Sequence, residues 1–400
     1  MTRKLILGAL GVILLALAGF FLLAPGIVER GMNTIDGKPL IEVSDEAKAL
    51  HETLAIVDLH SDTLLWKRDL LDRADRGHMD LPRLREGNVA LQVFSSVTKT
   101  PKGQNYDANG ADSDNITMLA VAQLQPVRTW NSLLERSLWH AQKLGRAVVG
   151  SGGDLIKIGY VRDLDALKLA RSEKKPKPIG ALLSIEGLQN LEGDLANLDT
   201  LRGAGFRMAG LTHFFDNDLA GSMHGLHKGG LTEKGRAAVR RMEELGMVVD
   251  IAHCSHQCVA DILAMARRPV VSSHGGVQAT CKVNRNLTDE EIRGVAKTGG
   301  VIGIGYWDAA ICNTSPRAAA RAMKHIRDLV GIEHVALGSD FDGATTVRFD
   351  TAQLVQVTQA LLDEGFTPDE VRAAMGRNAL RVLREDLKPL RMAVDQPPVP

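Results

Sequence analysis

Eight short apolar segments recur along this chain with helix-length stretches between them, and few folds accept that alternation. The segments are Leu54 to His60, Val89 to Phe94, Ile179 to Ile185, Met208 to His213, Met247 to His253, Pro269 to His274, Gly300 to Trp307 and His334 to Ser339. Their near-continuous apolar character suits strands buried on both faces, and alternation with helices implies right-handed βαβ units in a parallel sheet. Eight such units predict a closed (β/α)8 barrel of the TIM type, an α/β fold whose strand ends converge on one face. The intervening stretches carry helix boundaries. Thr288-Asp289-Glu290-Glu291 and Thr367-Pro368-Asp369-Glu370 each offer an N-cap followed by acids in the first turn. Between the second and third segments, Lys99 to Asn115 reads as a loop over the barrel mouth and Ile116 to Val149 as one long helix. Arg171 to Pro178 reads as a solvated linker.

The N-terminus is of another kind. Arg3 and Lys4 precede an uncharged apolar run from Leu5 to Ala24, closed by Pro25-Gly26. A run of that length as a helix spans a ~30 Å bilayer core. Ala16-Leu17-Ala18 resembles a signal-peptide cleavage site, but Gly19 to Leu23 continue the run beyond it, which favours an uncleaved transmembrane anchor over a secreted product. A helix buried in the soluble part is the plainest alternative. Either of the first two readings exports the rest of the chain, to the periplasm if the source is bacterial. The expected organisation is an anchor at 1–26, a polar connector at 27–44, the barrel at 45–385 and a disordered tail at 386–400.

Lys plus Arg balances Asp plus Glu at 48 each, which gives no support for a nucleic-acid partner and leaves a small molecule as the default. The four cysteines, Cys254, Cys258, Cys281 and Cys312, do not make a zinc-ribbon pair of pairs. One disulfide is compatible with export, buried free thiols are the alternative, and spacing does not choose a pair.

Five of the eight segments end in a residue that binds a divalent cation or moves a proton: His60 and Asp62, Glu186, His253, His274 and Asp340. Singly, each has a plain explanation. A lone His after a strand is more often a hydrogen-bonded residue, Glu186 can cap the next helix, and Asp340 can shape a turn. Together, at one mouth, they make a His and carboxylate set suited to zinc or a similar metal.

The motifs resemble those of the membrane dipeptidase family, within the amidohydrolase superfamily of metal-dependent barrels. The resemblance covers about residues 45–385 and runs in order through Val57 to Asp62, His78 to Leu84, Ile185-Glu186-Gly187, Leu211-Thr212-His213, Asp250 to Ser255, Ser272-Ser273-His274, Asn284-Arg285-Asn286, Gly338 to Gly343 and Gly376-Arg377-Asn378. It implies zinc-dependent dipeptide hydrolysis by a metal-bridging hydroxide. The resemblance also implies two zinc ions bridged by Glu186, one held also by His60 and Asp62, the other by His253 and His274. It further implies Asp340 as proton shuttle, His213 as the donor to the developing oxyanion, and Arg285 as the anchor for the substrate carboxylate. Cys281 and Cys312 occupy positions similar to a disulfide of the animal enzymes. The family's Glu-Gly-Gly-His is replaced by Glu186-Gly187-Leu188-Gln189, which puts the contact to the substrate amino end in question. His224 and His227 read as loop residues, and Asp216 and Asn217 as candidates for substrate contact. The rivals are another metal-dependent amidohydrolase (lactonase, deaminase or N-acyl amino acid hydrolase) and a non-catalytic peptide-binding envelope protein. Oligomeric state, a homodimer included, is left open.

Overall fold

The computed structural model describes residues 2–388. Each of the eight apolar segments contributes a strand: β1 (Ile56–Asp58), β2 (Val89–Val97), β3 (Ile179–Glu186), β4 (Phe206–Gly210), β5 (Val248–Asp250), β6 (Val270–Ser272), β7 (Val301–Ile304) and β8 (Val335–Leu337). All pair in parallel in chain order, and β8 returns to β1, with Leu337 opposite Asp58, to close an eight-stranded barrel. A further short strand, Leu155–Lys157, joins the start of β3. Every residue of the eight strands is buried, as their apolar run requires. One buried cluster takes residues from all eight strands, among them Val57, Leu91, Met208, Val271 and Ala336, and continues into Val382 and Leu383 of the last helix. This rigid core fixes the strand ends that carry the chemistry.

The helix starts fall where the caps place them. Thr288 and Thr367 each accept from the backbone N–H three residues on, while Glu291 and Glu370 reach back to complete capping boxes. Three differences from expectation stand out. The N-terminal run forms α1 (Thr2–Met32), which continues through Pro25 and Gly26 instead of ending there. Proline costs the helix one ladder hydrogen bond, but the turn beyond it is held from outside. Buried Glu29 accepts from Arg76 Nε at 2.8 Å and from Arg68, and Asn33 Oδ1 accepts from Ala344 N at 2.8 Å. The chain then pairs Thr34–Ile35 with Thr346–Val347. Second, the long helix expected from Ile116 to Val149 is broken into α2 (Ile116–Ala122), α3 (Arg128–Asn131) and α4 (Leu133–Gly150). Leu124 adopts a left-handed φ of 56°, Pro126 lacks a donor, and Ser132 caps α4. Third, Arg171 is no solvated linker residue: it is half-buried and donates to the carbonyls of Val89 and Pro178.

Among the described residues, which exclude the side chains at positions 2, 3, 13, 16 and 17, no helix is long and apolar enough to cross a membrane. The expected anchor therefore gains no support from the fold. The tail expected to be disordered falls, from residue 389 onward, outside the described residues.

His140 on α4 is buried, with Nδ1 2.8 Å from Ser96 Oγ. Burial, then the nearby Lys143 and Arg136 charges, lower its pKa from the ordinary 6.5 to about 3. Below about pH 6.5 the unfolded chain binds a proton that the fold refuses, so stability present at neutral pH is lost as the pH falls. Unfolding at pH 5 against pH 7 is expected to show about 2 kcal/mol lost through this residue. His140→Asn should flatten that part of the profile; an unchanged slope would remove His140 as its source.

Candidate metal centre at the barrel mouth

The predicted ligands all stand at the carboxyl ends of the strands and all are buried. Glu186 closes β3, while His213, His253, His274 and Asp340 follow β4, β5, β6 and β8 within a few residues. His60 and Asp62 lie just past β1. Alternation persists there because Ser61 bridges to Phe341 and Asp62 N donates to Phe341 O at 2.9 Å, so both side chains turn to the same centre.

Glu186 is the hub. Its Oε1 lies 2.9 Å from His253 Nε2, 3.2 Å from His274 Nε2 and 3.7 Å from His60 Nε2, and its Oε2 lies 3.5 Å from His213 Nε2. His60 Nε2 is 3.4 Å from Asp62 Oδ1 and 3.9 Å from Asp340 Oδ1, and the Nε2 atoms of His253 and His274 are 3.0 Å apart. Three overlapping groups bring their ligand atoms within 4.8 Å of one another: His60 with Asp62 and Glu186, Glu186 with His213 and His253, and His60 with His274 and Asp340. The first matches one implied ligand set. In the others His213, the implied oxyanion donor, sits as close to Glu186 as the ligands do, and Asp340 stands beside His60 and His274.

The residues fit a divalent metal. Both ring nitrogens of His60, Asp62 Oδ1, Glu186 Oε2 and His253 Nδ1 are buried without a hydrogen-bond partner, a costly state that coordination resolves. Charge points the same way. Burial and then the Asp62 charge push the Glu186 carboxyl well above its ordinary range. Burial opposes protonation of His60, yet Glu186 and Asp62 hold it protonated up to about 10. A pocket that draws in a positive charge so strongly suits a cation held by imidazole and carboxylate.

Tight turns aim these groups. His253 and Asp340 both adopt left-handed φ angles, 64° and 56°, a strained choice typical of functional positions. Two buried carboxylates to which the sequence reading gave no role brace them. Asp58 accepts from Ser339 N at 2.8 Å, and Asp250 accepts from Ala252 N at 3.0 Å and Ser273 N at 2.9 Å.

A cavity of about 530 Å³ opens above the centre, within the range of small-molecule sites, and Asp62, Glu186, His213, His253, Arg285 and Asp340 line it. Arg285 is buried, its guanidinium 5.0 Å from the Trp307 ring centroid and Nη2 3.5 Å from His274 O, and it makes no ion pair among the described residues. Sequence reading passed over Trp307 because an aromatic residue that closes an apolar segment reads as core. His224 is more than a loop residue: it is buried, stacks on Phe214 at 4.6 Å and bonds Tyr106 O through Nδ1 at 2.9 Å. His227 is exposed, and Asp216 spends its carboxylate on the backbone of Ser222, His227 and Lys228. Asp216, Asn217 and Gln189 are not among the cavity walls. Cys281 and Cys312 are disulfide-bonded, bracketing Arg285 and Trp307, whereas Cys254 and Cys258 are free and buried.

The profile of the membrane dipeptidase family, peptidase family M19, matches residues 44–389. The chain belongs to that family. As a membrane dipeptidase it is a metallopeptidase, a hydrolase acting on peptide bonds. It is 28% identical over 349 residues to the dipeptidase aclJ of Aspergillus oryzae, covering 82% of this chain and 77% of that protein. Two solved structures share the fold. The probable dipeptidase PvdM of Pseudomonas aeruginosa superposes with a TM-score of 0.72 at 20% identity, over 86% of this chain and 98% of that one. A metallo peptidase of Rhodobacter sphaeroides, liganded with a phosphinate mimic of the dipeptide L-Ala-D-Ala, does so with a TM-score of 0.67 at 21% identity, over 84% and 99%. The membrane dipeptidase barrel thus carries, where its strand ends converge, clusters of His and carboxylate groups placed to hold a metal ion.

Proposed function

We propose that this chain hydrolyses dipeptides at a two-zinc centre, with Glu186 shared between the ions, His60 and Asp62 completing one site and His253 and His274 the other. When bound, such ions supply an acidified water and polarise the scissile carbonyl. The protein's own groups do the rest. Asp340, at the rim of the same cavity, accepts the proton of the attacking water and passes it to the departing amine. His213, buried against Glu186, donates to the oxygen on which charge develops. Arg285 offers a planar fork to the substrate carboxylate, so a chain ending one residue past the scissile bond is favoured over a longer peptide. The observation that carries the reading is the Glu186 hub on one cavity with a buried arginine, Arg285, that has no acidic partner among the described residues.

Export is proposed on two grounds. The Cys281–Cys312 disulfide suits an oxidising compartment, and the first half of α1 exposes Leu7 and Leu15 next to Arg3 and Lys4, as a membrane anchor with a cytoplasmic flank would.

The test is a dipeptide library including D-residues, with esters and N-acyl amino acids alongside, assayed with zinc-loaded full-length protein. Dipeptide turnover with two equivalents of metal supports the reading. Turnover confined to esters or N-acyl amino acids would point to another amidohydrolase, and failure to bind metal to a peptide-binding protein. Arg285→Ala is expected to raise KM for dipeptides about 10- to 100-fold, with a smaller change in kcat, because a charge-assisted bidentate contact is lost. A normal KM would remove Arg285 as the carboxylate anchor.

A further inference from the structure

The cavity over the metal centre has a wall that the barrel does not supply. Phe20, Ala24, Pro25, Val28 and Met32 of α1 line it, on the same cavity as Glu186 and Arg285. The position of α1 is built in. Buried Glu29 binds Arg68 and Arg76; Arg68 in turn binds buried Asp342, two residues past Asp340. Asn33 holds Ala344, which with Gly343 lines the cavity beyond Asp340. All of these tethers lie in loops after β1 and β8. Arg285 belongs to the segment after β6, in another sector of the rim. The two sectors differ in chemistry. Arg285 brings a charge to its side, beside Trp307, whereas α1 brings only apolar side chains, with Ile116 and Leu119 of α2 also on the lining.

Resting on the dipeptidase reading, a substrate whose carboxylate sits at Arg285 and whose scissile bond sits at Glu186 leaves its amino-terminal residue to the rest of the same cavity, of which α1 forms one wall. We propose that α1 is the specificity wall of the active site, and that Phe20, Val28 and Met32 select dipeptides whose first residue carries a large apolar side chain. Phe20, Val28 and Met32 are each partly exposed, 46%, 42% and 44%, and so present apolar surface to the cavity opening. Covering that surface with a substrate side chain removes it from water, a gain a polar first residue does not share.

The experiment compares kcat/KM for Leu-Ala and Ser-Ala, using zinc-loaded full-length protein in mild detergent. The wild type is expected to prefer Leu-Ala by about tenfold or more. The double variant Val28→Asn, Met32→Gln should bring that ratio near one by raising KM for Leu-Ala. Phe20→Ser, a separate change on the same wall, should move it in the same direction. Ile27→Asn, on α1 but outside the cavity, should not move it. A ratio unchanged by both wall variants, or lowered equally by Ile27→Asn, overturns the proposal while dipeptide turnover keeps the dipeptidase reading standing. Absence of any dipeptide turnover by the wild type removes both.

Discussion

Asp340→Asn is expected to lower kcat for dipeptide hydrolysis by about 10²- to 10⁴-fold, the usual contribution of a positioned general acid–base group, while metal content stays at the wild-type level. The substitution keeps the size and shape of the side chain and removes only its capacity to accept and return a proton. The turn beneath it is held by contacts that the substitution leaves in place: Ser339 Oγ and N both bind Asp58, and Thr345 Oγ1 donates to Asp340 O at 3.0 Å. A Cβ at Gly343 would collide with the Asp340 carboxylate, so the carboxylate lies folded over its own turn and aimed by it. Asp340 also stands 3.9 Å from His60 and belongs to a group with His274, which makes metal analysis of the variant decisive. Loss of an ion together with activity would make Asp340 a ligand, and unchanged hydrolysis would remove it from the chemistry altogether.

The barrel and its ligands are legible in the sequence for a physical reason. Strands buried on both faces must read as apolar runs, and a closed parallel barrel must bring their carboxyl ends to one mouth, so residues as distant as His60 and Asp340 become neighbours by topology alone. What escaped is set by contacts that no local pattern encodes. The turn of α1 beyond Pro25 is stabilised by Glu29 meeting Arg68 and Arg76, and those partners lie about forty residues away with no periodicity to announce them. The break between α2 and α4 was signalled by Pro126, but the apolar content on either side read as continuous. His224 looked like one of two loop histidines, and only its stacking on Phe214 separates it from exposed His227. Braces such as Asp58 and Asp250 are short acidic residues within apolar runs. Their role appears only when the neighbouring loop backbone is placed against them.

Glu186→Gln is expected to separate the metal-free and metal-loaded proteins in opposite directions. In the loaded protein the shared ligand is lost, so at least one equivalent of metal should go and activity should fall by about 10⁴-fold or more, since both the acidified water and the polarised carbonyl depend on the ions. In the metal-free protein, Glu186 is one of three buried carboxylates that line the cavity at the centre, with Asp62 and Asp340, and its Oε2 lacks a hydrogen-bond partner. Burial and the Asp62 charge disfavour its ionised form, so the carboxylate costs stability there, and the neutral amide of the same shape relieves that cost. Metal-free Glu186→Gln should therefore melt at or above the temperature of metal-free wild type. Adding zinc should stabilise the wild type by about 2.7 kcal/mol per site at a hundredfold excess over Kd, and the variant by less. Thermal melts with and without metal, read beside metal content, check both halves. A variant that keeps two ions would remove Glu186 as the bridge, and one that melts lower without metal would show that the carboxylate serves the fold itself before it serves the ions.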